Sequence, residues 1–181
     1  MDKITLRARM RDVGDTDSLS GRQVVAHLQR WMSSRLPGTV SAYLAMRDEV
    51  DVTDLFGLLP GWRWVMPRVE PDGSLSFRDR EVGYEIHPLG MRQPVDRGVR
   101  TPINEIDVFL VPGVAFDRTG GRLGRGSGYF DVVLTQRRGD GVAIGVVTES
   151  RVVDAVPMSD HDRSVDWLAT EDGVTPCLAK S

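Results

Sequence analysis

Hydrophobic positions near the start of the chain recur at intervals typical of helices. Residues 3–12 are good helix formers. The next apolar positions also fall at helical intervals, at Val24, Val25, Leu28, Trp31, Met32 and Leu36. Ser20 and Gln23 have the spacing of a capping box, and Pro37-Gly38 follows the last apolar position. The pattern therefore predicts one helix over residues 3–12 and a second from Ser20 to Leu36.

Two longer apolar runs predict strands that are buried on both faces. Residues 106–116 read IDVFLVPGVAF and residues 142–147 read VAIGVV, as in parallel strands covered by helices. Between them, residues 128–138 have apolar and aromatic positions at helical spacing. A strand, a glycine-rich loop, a helix and a strand in this order form a βαβ unit. We therefore predict a single layered α/β/α domain over residues 1–181, with a mostly parallel central sheet.

The remaining apolar segments are shorter. Four of them predict strands, at residues 39–46, 63–69, 74–80 and 82–88. The last two are more exposed and can form a hairpin. A short helix is predicted over residues 51–59, and the tail after Trp167 predicts an edge element followed by a frayed end.

The composition narrows the class of protein. A chain of 181 residues that is 40% hydrophobic and 27% charged has the size of one ordinary domain. Its single cysteine, Cys177, excludes an intramolecular disulfide and a cysteine-built metal cage, which suits a reducing cytoplasm. No segment approaches the roughly 20 apolar residues of a bilayer-spanning helix, and no signal-peptide pattern follows Met1. We therefore expect a cytoplasmic protein with no membrane partner.

Positive charge is concentrated in one stretch. The formal net charge of −3 is unlike that of nucleic-acid binders, which carry a sustained basic surface. Residues 116–131 nevertheless read FDRTGGRLGRGSGYFD, with five glycines and three arginines. Local positive charge of this kind suits an anionic small molecule better than a polymer, so we expect no nucleic-acid partner.

This glycine-rich stretch predicts a phosphate site. A glycine-rich loop that leads from a strand into a helix offers backbone N–H groups and the helix dipole to an anion. The stretch lacks the lysine of a Walker A loop, and Tyr129 stands where the third glycine of a dinucleotide fingerprint belongs. The glycines alone are equally consistent with a surface turn that needs positive φ angles. Arg122 and Arg125 favour the phosphate site, because guanidinium groups pair with phosphate oxygens.

The longer run VPGVAFDRTGGRLGRGSGYFD resembles the signature of the 5-formyltetrahydrofolate cyclo-ligase family. Other landmarks of that family occur in order: KITLR at residues 3–7, AYLAMRDEVD, MPRV, GMRQP and VPMSDHDRSVD. The resemblance covers the chain from Lys3 to about Val174. It implies an α/β fold similar to that of sugar-phosphate isomerase and CoA-transferase relatives. It also implies that ATP and Mg²⁺ are used to convert 5-formyltetrahydrofolate to 5,10-methenyltetrahydrofolate, with release of ADP and phosphate.

The resemblance also implies roles for individual residues. ATP would be bound by Lys3, Arg7, Arg122, Leu123, Gly124, Arg125, Gly126, Ser127, Gly128, Tyr129 and Phe130. The folate, with or without a polyglutamate tail, would be bound by Leu44, Glu49, Met91 and Tyr129. Arg125 and Tyr129 would act in catalysis, and Asp131 with Asp162 would hold Mg²⁺, a cation that prefers oxygen ligands. We expect the enzyme to be a monomer.

Each assignment has an alternative that needs no ligand. Asp131 can be an acid in the first turn of a helix, Asp162 a loop residue, and Glu49 part of a polar turn. Lys3 and Arg7 can lie on a solvated helix face, and Leu44 and Met91 can belong to the core. The chain also departs from the family pattern, since Ser127 replaces a frequent lysine or glycine and Phe130 the second tyrosine of GYYD.

Two other functions remain open at this point. A family paralogue could bind nucleotide or folate without turnover or for another reaction, such as one coupled to thiamine metabolism. A nicotinamide-dependent oxidoreductase is a further possibility from the fold alone. The missing third glycine disfavours it.

Overall fold

The computed structural model describes residues 1–88 and 90–178, and within them it contains an eight-stranded sheet. In spatial order the strands are β13 (Gly173–Pro176), β12 (Trp167–Thr170), β10 (Val142–Val146), β7 (Val108–Val111), β1 (Thr39–Ser41), β2 (Arg63–Val69), β3 (Leu75–Asp79) and β6 (Arg100–Thr101). The five strands from β12 to β2 are parallel. β13 and β3 are antiparallel to their neighbours, as is β6 to β3. The predicted mostly parallel sheet is therefore confirmed.

Helices and two small sheets complete the fold. The helices are α1 (Lys3–Arg11), α2 (Ser18–Ser33), α3 (Leu55–Leu58) and α4 (Tyr129–Gln136), with 3₁₀ turns at Arg80–Val82, Ile103–Glu105 and Glu149–Arg151. One small sheet has the order β11 (Val152–Val153), β8 (Ala115–Asp117), β9 (Arg122–Leu123), and the other pairs β4 (Tyr84–Ile86) with β5 (Arg92–Pro94). Among the described helices, none is both long and apolar enough to cross a bilayer.

The core consists of two layers, one on each face of the large sheet. Side chains alternate between the faces of a strand, so Val108 and Leu110 of β7 pack in one layer and Phe109 and Val111 in the other. The first layer contains the apolar faces of α2 and α3, and the second contains α4. A third cluster joins Leu6 and Met10 of α1 to the small sheet around β8. The predicted α/β/α layering is confirmed.

The predicted start of the second helix was wrong. Asp17, not Ser20, is the N-cap, and its Oδ1 accepts hydrogen bonds from the N–H groups of Leu19 (3.0 Å) and Ser20 (2.9 Å). An aspartate that satisfies two free donors is a sufficient cap without a capping box. The helix also ends at Ser33 rather than Leu36, which is 91% exposed.

The predicted strand over residues 106–116 is two strands in two sheets. β7 ends at Val111, and β8 begins at Ala115 in the small sheet. Pro112 has no N–H for the ladder, and a side chain at Gly113 would lie 2.6 Å from the ring of Phe116. The chain therefore leaves the large sheet at the carboxyl end of β7 and turns there, with the ring of Phe116 packed against Gly113.

Two other strand predictions needed correction, and one is confirmed. The segment 39–46 contributes only the short β1. The edge element predicted in the tail after Trp167 is β13, and β12 lies between it and β10. The segments 74–80 and 82–88 do not pair with each other, because β3 pairs with β2 and β6 while β4 pairs with β5. A 3₁₀ turn and Gly83, with φ +91°, redirect the chain between them. The expected frayed end includes residues 179–181, which lie outside the described residues.

Asp117 organises the turn that leads into the glycine-rich loop. Its Oδ1 accepts from the N–H (2.9 Å) and hydroxyl (2.7 Å) of Thr119 and from the N–H of Gly121 (2.9 Å). Its Oδ2 accepts from the N–H of Val156 (2.8 Å). Burial raises the pKa of this carboxyl, but these hydrogen bonds outweigh burial and lower it overall. A side chain at Gly121 would collide with the carboxylate, so the turn requires glycine before Arg122.

Replacing Asp117 by asparagine is expected to destabilise the fold by about 1–3 kcal/mol, because an amide NH₂ would face a backbone donor that the carboxylate now satisfies. The free energy of unfolding in urea measures this change. Asp72 is a matched control, since it accepts from the N–H and hydroxyl of Ser74 in a similar but exposed turn. We expect Asp72→Asn to cost less than about 0.5 kcal/mol. Equal losses in the two variants would contradict the role given to Asp117.

Candidate active site

A cavity of about 220 Å³ lies at the carboxyl ends of the parallel strands β1, β2 and β7. Ligand sites of open α/β sheets form at this edge. The segments around the cavity are the start of α1, residues 43–49 after β1, residues 67–75, residues 91–93, the glycine-rich loop and Asp162. The structure brings all the site residues predicted from the sequence around this one cavity: Lys3, Arg7, Leu44, Glu49, Met91, Arg122, Leu123, Gly124, Arg125, Gly126, Ser127, Gly128, Tyr129, Phe130, Asp131 and Asp162.

The glycine-rich loop leads directly into α4. Gly126 and Gly128 have φ angles of +118° and +70°, which residues with side chains rarely adopt. Gly128 is the N-cap of α4 and has no side chain to bond the first N–H groups of the helix. Since residues 128–130 line the cavity, this helix start presents unsatisfied donors and the positive end of the dipole to it.

Arg122 has a buried and incompletely satisfied guanidinium group. Its side chain is 5% exposed, and its Nη2 donates to Oδ2 of Asp131 at 2.9 Å. Its Nε is buried and has no hydrogen-bond partner among the described residues. A side chain at Gly124 would lie 2.8 Å from Nη1, so this glycine leaves the guanidinium its space. A buried donor without a partner is costly, which favours a ligand atom at this position.

The start of α1 contributes two cations. Lys3 Nζ donates to Oδ2 of Asp162 at 2.5 Å, and Arg7 Nε donates to the carbonyl oxygen of Gly124 at 2.9 Å. Oδ2 of Asp162 also accepts from the N–H (2.5 Å) and hydroxyl (2.8 Å) of Ser159. Partial burial raises the pKa of Asp162, but the donors of Lys3 and Ser159 outweigh it and lower the pKa to about 2. Asp162 is therefore ionised at neutral pH.

Asp131 and Asp162 fit a magnesium site. They lie close together, because Oδ1 of Asp131 accepts from the N–H of Arg163 at 3.0 Å, next to Asp162 in the chain. No group of three or more metal-ligating side chains occurs in the part of the chain that the structure describes. Mg²⁺ does not need one, since it commonly binds one or two carboxylates together with phosphate oxygens and water. Both carboxylates line the same cavity as the glycine-rich loop.

The other end of the cavity is acidic and apolar. Glu49 has a side chain that is 8% exposed, and its Oε2 accepts from the N–H of Met46 at 2.9 Å. The apolar walls are formed by Leu44, Pro67, Val69, Leu75 and Met91. Tyr43 also lines the cavity, and burial first and the charges of Glu49 and Asp51 second raise the pKa of its hydroxyl. This end can therefore hold a flat ring with an edge of hydrogen-bond donors.

Arg125 contacts the acidic turn, which comprises residues 47–51. Its Nη2 donates to Asp48 at 2.5 Å, and its Nε and Nη2 donate to Oε1 of Glu49 at 3.2 and 3.1 Å. Burial lowers the pKa of Arg125, but the charges of Glu49 and Asp48 outweigh burial and raise it. The sequence predicted that this arginine binds phosphates. The structure shows that it contacts Glu49, a residue predicted to bind folate.

Sequence reasoning missed several residues of the site. Asp48 was not singled out, although it lies beside Glu49 in the same polar turn. Pro67, Val69 and Leu75 line the cavity itself, and the sequence of β2 gave no sign of which of its side chains end there. The MPRV landmark at residues 66–69 was the available signal for Pro67 and Val69.

The comparisons with known proteins agree with this geometry. Residues 3–171 match the model of the 5-formyltetrahydrofolate cyclo-ligase family. A protein named 5-formyltetrahydrofolate cyclo-ligase from Mycolicibacterium smegmatis is 37% identical over 154 residues, which cover 79% of this chain and 79% of that protein. The protein of the same name from Mus musculus is 25% identical over 169 residues, covering 83% and 80%.

A solved structure has the same fold. It is the NMR structure of 5,10-methenyltetrahydrofolate synthetase from Aquifex aeolicus, which has a TM-score of 0.83 and 28% sequence identity to this chain. The alignment covers 100% of this chain and 95% of that one. The family resemblance predicted from the glycine-rich loop is confirmed.

Replacing Lys3 by glutamine is expected to raise the pKa of Asp162, because it removes a charged donor from Oδ2. The depressed pKa means that Asp162 stabilises the fold above the ordinary value of 3.8 and that this contribution is lost as the pH falls through about 2. A ¹³C NMR titration of the carboxyl measures the shift. Arg9→Gln, on an exposed part of α1, is the control and should leave the pKa unchanged. An unchanged Asp162 pKa in Lys3→Gln would refute the pairing.

Proposed function

The chain belongs to the 5-formyltetrahydrofolate cyclo-ligase family, and we propose that it uses ATP to convert 5-formyltetrahydrofolate to 5,10-methenyltetrahydrofolate, releasing ADP and phosphate. One observation supports this most strongly. The two kinds of subsite that the reaction needs, a cationic phosphate end and an acidic, apolar ring-binding end, share one cavity. The partly unsatisfied guanidinium of Arg122 lies at the first end and Glu49 at the second.

The reaction explains why both ends are needed. The carbon of a formamide is a poor electrophile and its oxygen a poor leaving group. The formyl oxygen therefore attacks the γ-phosphorus of ATP and displaces ADP. The neighbouring folate nitrogen N10 then attacks the activated formyl carbon and loses its proton, the ring closes, and phosphate leaves with the former formyl oxygen. Phosphoryl transfer of this kind depends on positioning and charge stabilisation more than on a protein nucleophile.

At the phosphate end, the proposed binding groups are cations and backbone amides. Arg122 offers its free Nε, and residues 128–130 offer the N–H groups at the start of α4. Lys3 and Arg7 lie on one face of α1 and border the same cavity, together with the loop residues Leu123, Gly124, Gly126 and Ser127. Arg125 is proposed to neutralise the charge that develops on the transferring phosphoryl group.

Asp131 and Asp162 are the proposed magnesium ligands. Both are held in place by other residues, Asp131 by Arg122 and the N–H of Arg163, and Asp162 by Lys3 and Ser159. A bound Mg²⁺ supplies positive charge to phosphate oxygens. The protein supplies ionised carboxylates in a fixed orientation, and the low pKa of Asp162 keeps it available for a cation.

At the folate end, Glu49 is proposed to accept paired hydrogen bonds from the aminopyrimidine edge of the pterin. Leu44 and Met91 provide apolar walls, and Tyr129 and Phe130 line the same cavity. In this arrangement Tyr129 stacks on the ring and holds the formyl group near the γ-phosphate. We further propose that residues 1–181 act as one domain, as a monomer in the cytoplasm, since the described residues of one chain supply both ends of the cavity.

Purified protein with 5-formyltetrahydrofolate, Mg²⁺ and ATP is expected to show the absorbance rise of methenyltetrahydrofolate, and the rise should require ATP. Asp131→Asn should lower the rate by roughly 100-fold, because it removes a charge beside Arg122 and a proposed magnesium ligand. Asp140→Asn, an exposed substitution beyond α4, is the matched control and should keep the rate. Tight binding of ATP without any absorbance rise would instead support the paralogue function.

Glu49→Gln is expected to raise the KM for 5-formyltetrahydrofolate by roughly 10–100-fold, the effect of losing a charge-assisted hydrogen bond. The KM for ATP should not rise, since the substitution removes no proposed phosphate-binding group and weakens a contact that engages Arg125. Steady-state kinetics with each substrate varied in turn measures both constants. Glu81→Gln, which removes the same charge from an exposed site, is the control. Equal increases in both KM values would contradict the assignment of Glu49 to the pterin.

A further inference from the structure

Four charged side chains contact one another in a series that begins at Glu49 and continues through Arg125 of the glycine-rich loop and Asp48 to Arg151. Arg125 contacts Glu49 at 3.1 Å and Asp48 at 2.5 Å, and Asp48 in turn lies 3.9 Å from Nη1 of Arg151. Arg125 and Asp48 also line a second cavity of about 360 Å³, on the other side of this series. Arg125 is therefore held between two carboxylates of the acidic turn.

The hydrogen-bond capacity of Glu49 limits what it can bind in this state. An ionised carboxylate has two lone pairs on each oxygen. Nε and Nη2 of Arg125 occupy both lone pairs of Oε1, and the N–H of Met46 occupies one on Oε2. A paired donor edge needs one free lone pair on each oxygen. Such an edge can bind Glu49 only if Arg125 gives up at least one of its contacts.

We propose that Asp48 is a positioning residue that acts through Arg125, and that Asp48 and Glu49 compete with the ATP phosphates for this guanidinium. The inference rests on the proposed function, because it takes the pterin edge as the ligand of Glu49. When the pterin binds, one of the two competing carboxylates is withdrawn and Arg125 is released towards the phosphates. Folate binding therefore strengthens ATP binding, and this coupling acts in both directions.

The contacts of Asp48 favour this role over a structural one. Its side chain accepts no backbone hydrogen bond among the described residues, and its partners are Arg125 and Arg151. The turn itself is closed by the N–H of Glu49, which donates to the carbonyl oxygen of Met46 at 3.0 Å. Arg151 is anchored independently, by the carbonyl oxygens of Gly14 and Val114. Removing the charge of Asp48 therefore leaves the turn and Arg151 supported.

The test measures the Kd of a non-hydrolysable ATP analogue with Mg²⁺, with and without folic acid, which has the pterin edge but no formyl group. Asp48→Asn should tighten analogue binding roughly threefold to tenfold, because one competing charge is lost. Asp54→Asn, an exposed charge removal nearby, should leave the Kd unchanged. In the wild-type protein, folic acid should tighten analogue binding several-fold, a measurement that needs no variant. In protein that carries Arg125→Gln, neither folic acid nor the added Asp48→Asn substitution should change the Kd of the analogue.

The outcomes separate this inference from the proposed function. If the wild-type protein forms methenyltetrahydrofolate but Asp48→Asn binds the analogue as well as or more weakly than wild type, competition by Asp48 is refuted and the enzyme assignment stands. If folic acid leaves the wild-type Kd of the analogue unchanged or raises it, the coupling between folate and ATP is refuted and the enzyme assignment stands. If the wild-type protein forms no product, the proposed function fails and this inference fails with it.

Discussion

The site depends on the pairing of three cations that line the cavity with carboxylates. A guanidinium or ammonium group in a cavity loses much of its hydration, and a counter-charge with good hydrogen bonds offsets that loss. Lys3 pairs with Asp162, Arg122 with Asp131, and Arg125 with Glu49 and Asp48. The first and last of these pairs join residues that are far apart in the sequence. The same contacts that neutralise the cations therefore hold α1, the acidic turn and the segment around Asp162 against the glycine-rich loop.

The fold places these partners together through the direction of its strands. Because β1, β2 and β7 are parallel, the segments that follow them leave the sheet at the same edge. The break at Pro112-Gly113 takes the chain out of the sheet there, and the turn at Asp117 returns it through β9 to the cavity. Phe116 is fully buried between Gly113 and Gly145, which have no side chains to obstruct it. The start of the glycine-rich loop is thus anchored by the packed ring of Phe116 and the satisfied carboxylate of Asp117.

The sequence predicted the parts of this arrangement that have a local signal. The two continuous apolar runs, the helical spacing of α4 and the glycine-rich stretch before it were sufficient to predict the βαβ unit and its glycine-rich loop. The family resemblance added the remaining proposed site residues. The errors have non-local causes. The exit of the chain after Val111 depends on the packing of Phe116 against Gly145, and the pairing of β4 with β5 depends on contacts beyond Gly83. The contact of Arg125 with Asp48 spans 77 positions and leaves no pattern in either segment.

A site whose cations are already paired binds its ligands by exchange. In the proposed reaction, ATP phosphates displace carboxylates from Lys3, Arg122 or Arg125, or share these cations with them, and Asp131 and Asp162 would hold the cation proposed to accompany the nucleotide. The net cost of each exchange is small, because one charge pair replaces another in the same cavity and little charge is left unpaired at any step. In the proposed reaction this arrangement also limits the loss of phosphate to water, since the guanidinium best placed to assist transfer is engaged by Asp48 and Glu49 until the pterin is present. In the proposed mechanism the ion pairs of the ligand-free site thus couple the binding of one reacting group to the binding of the other.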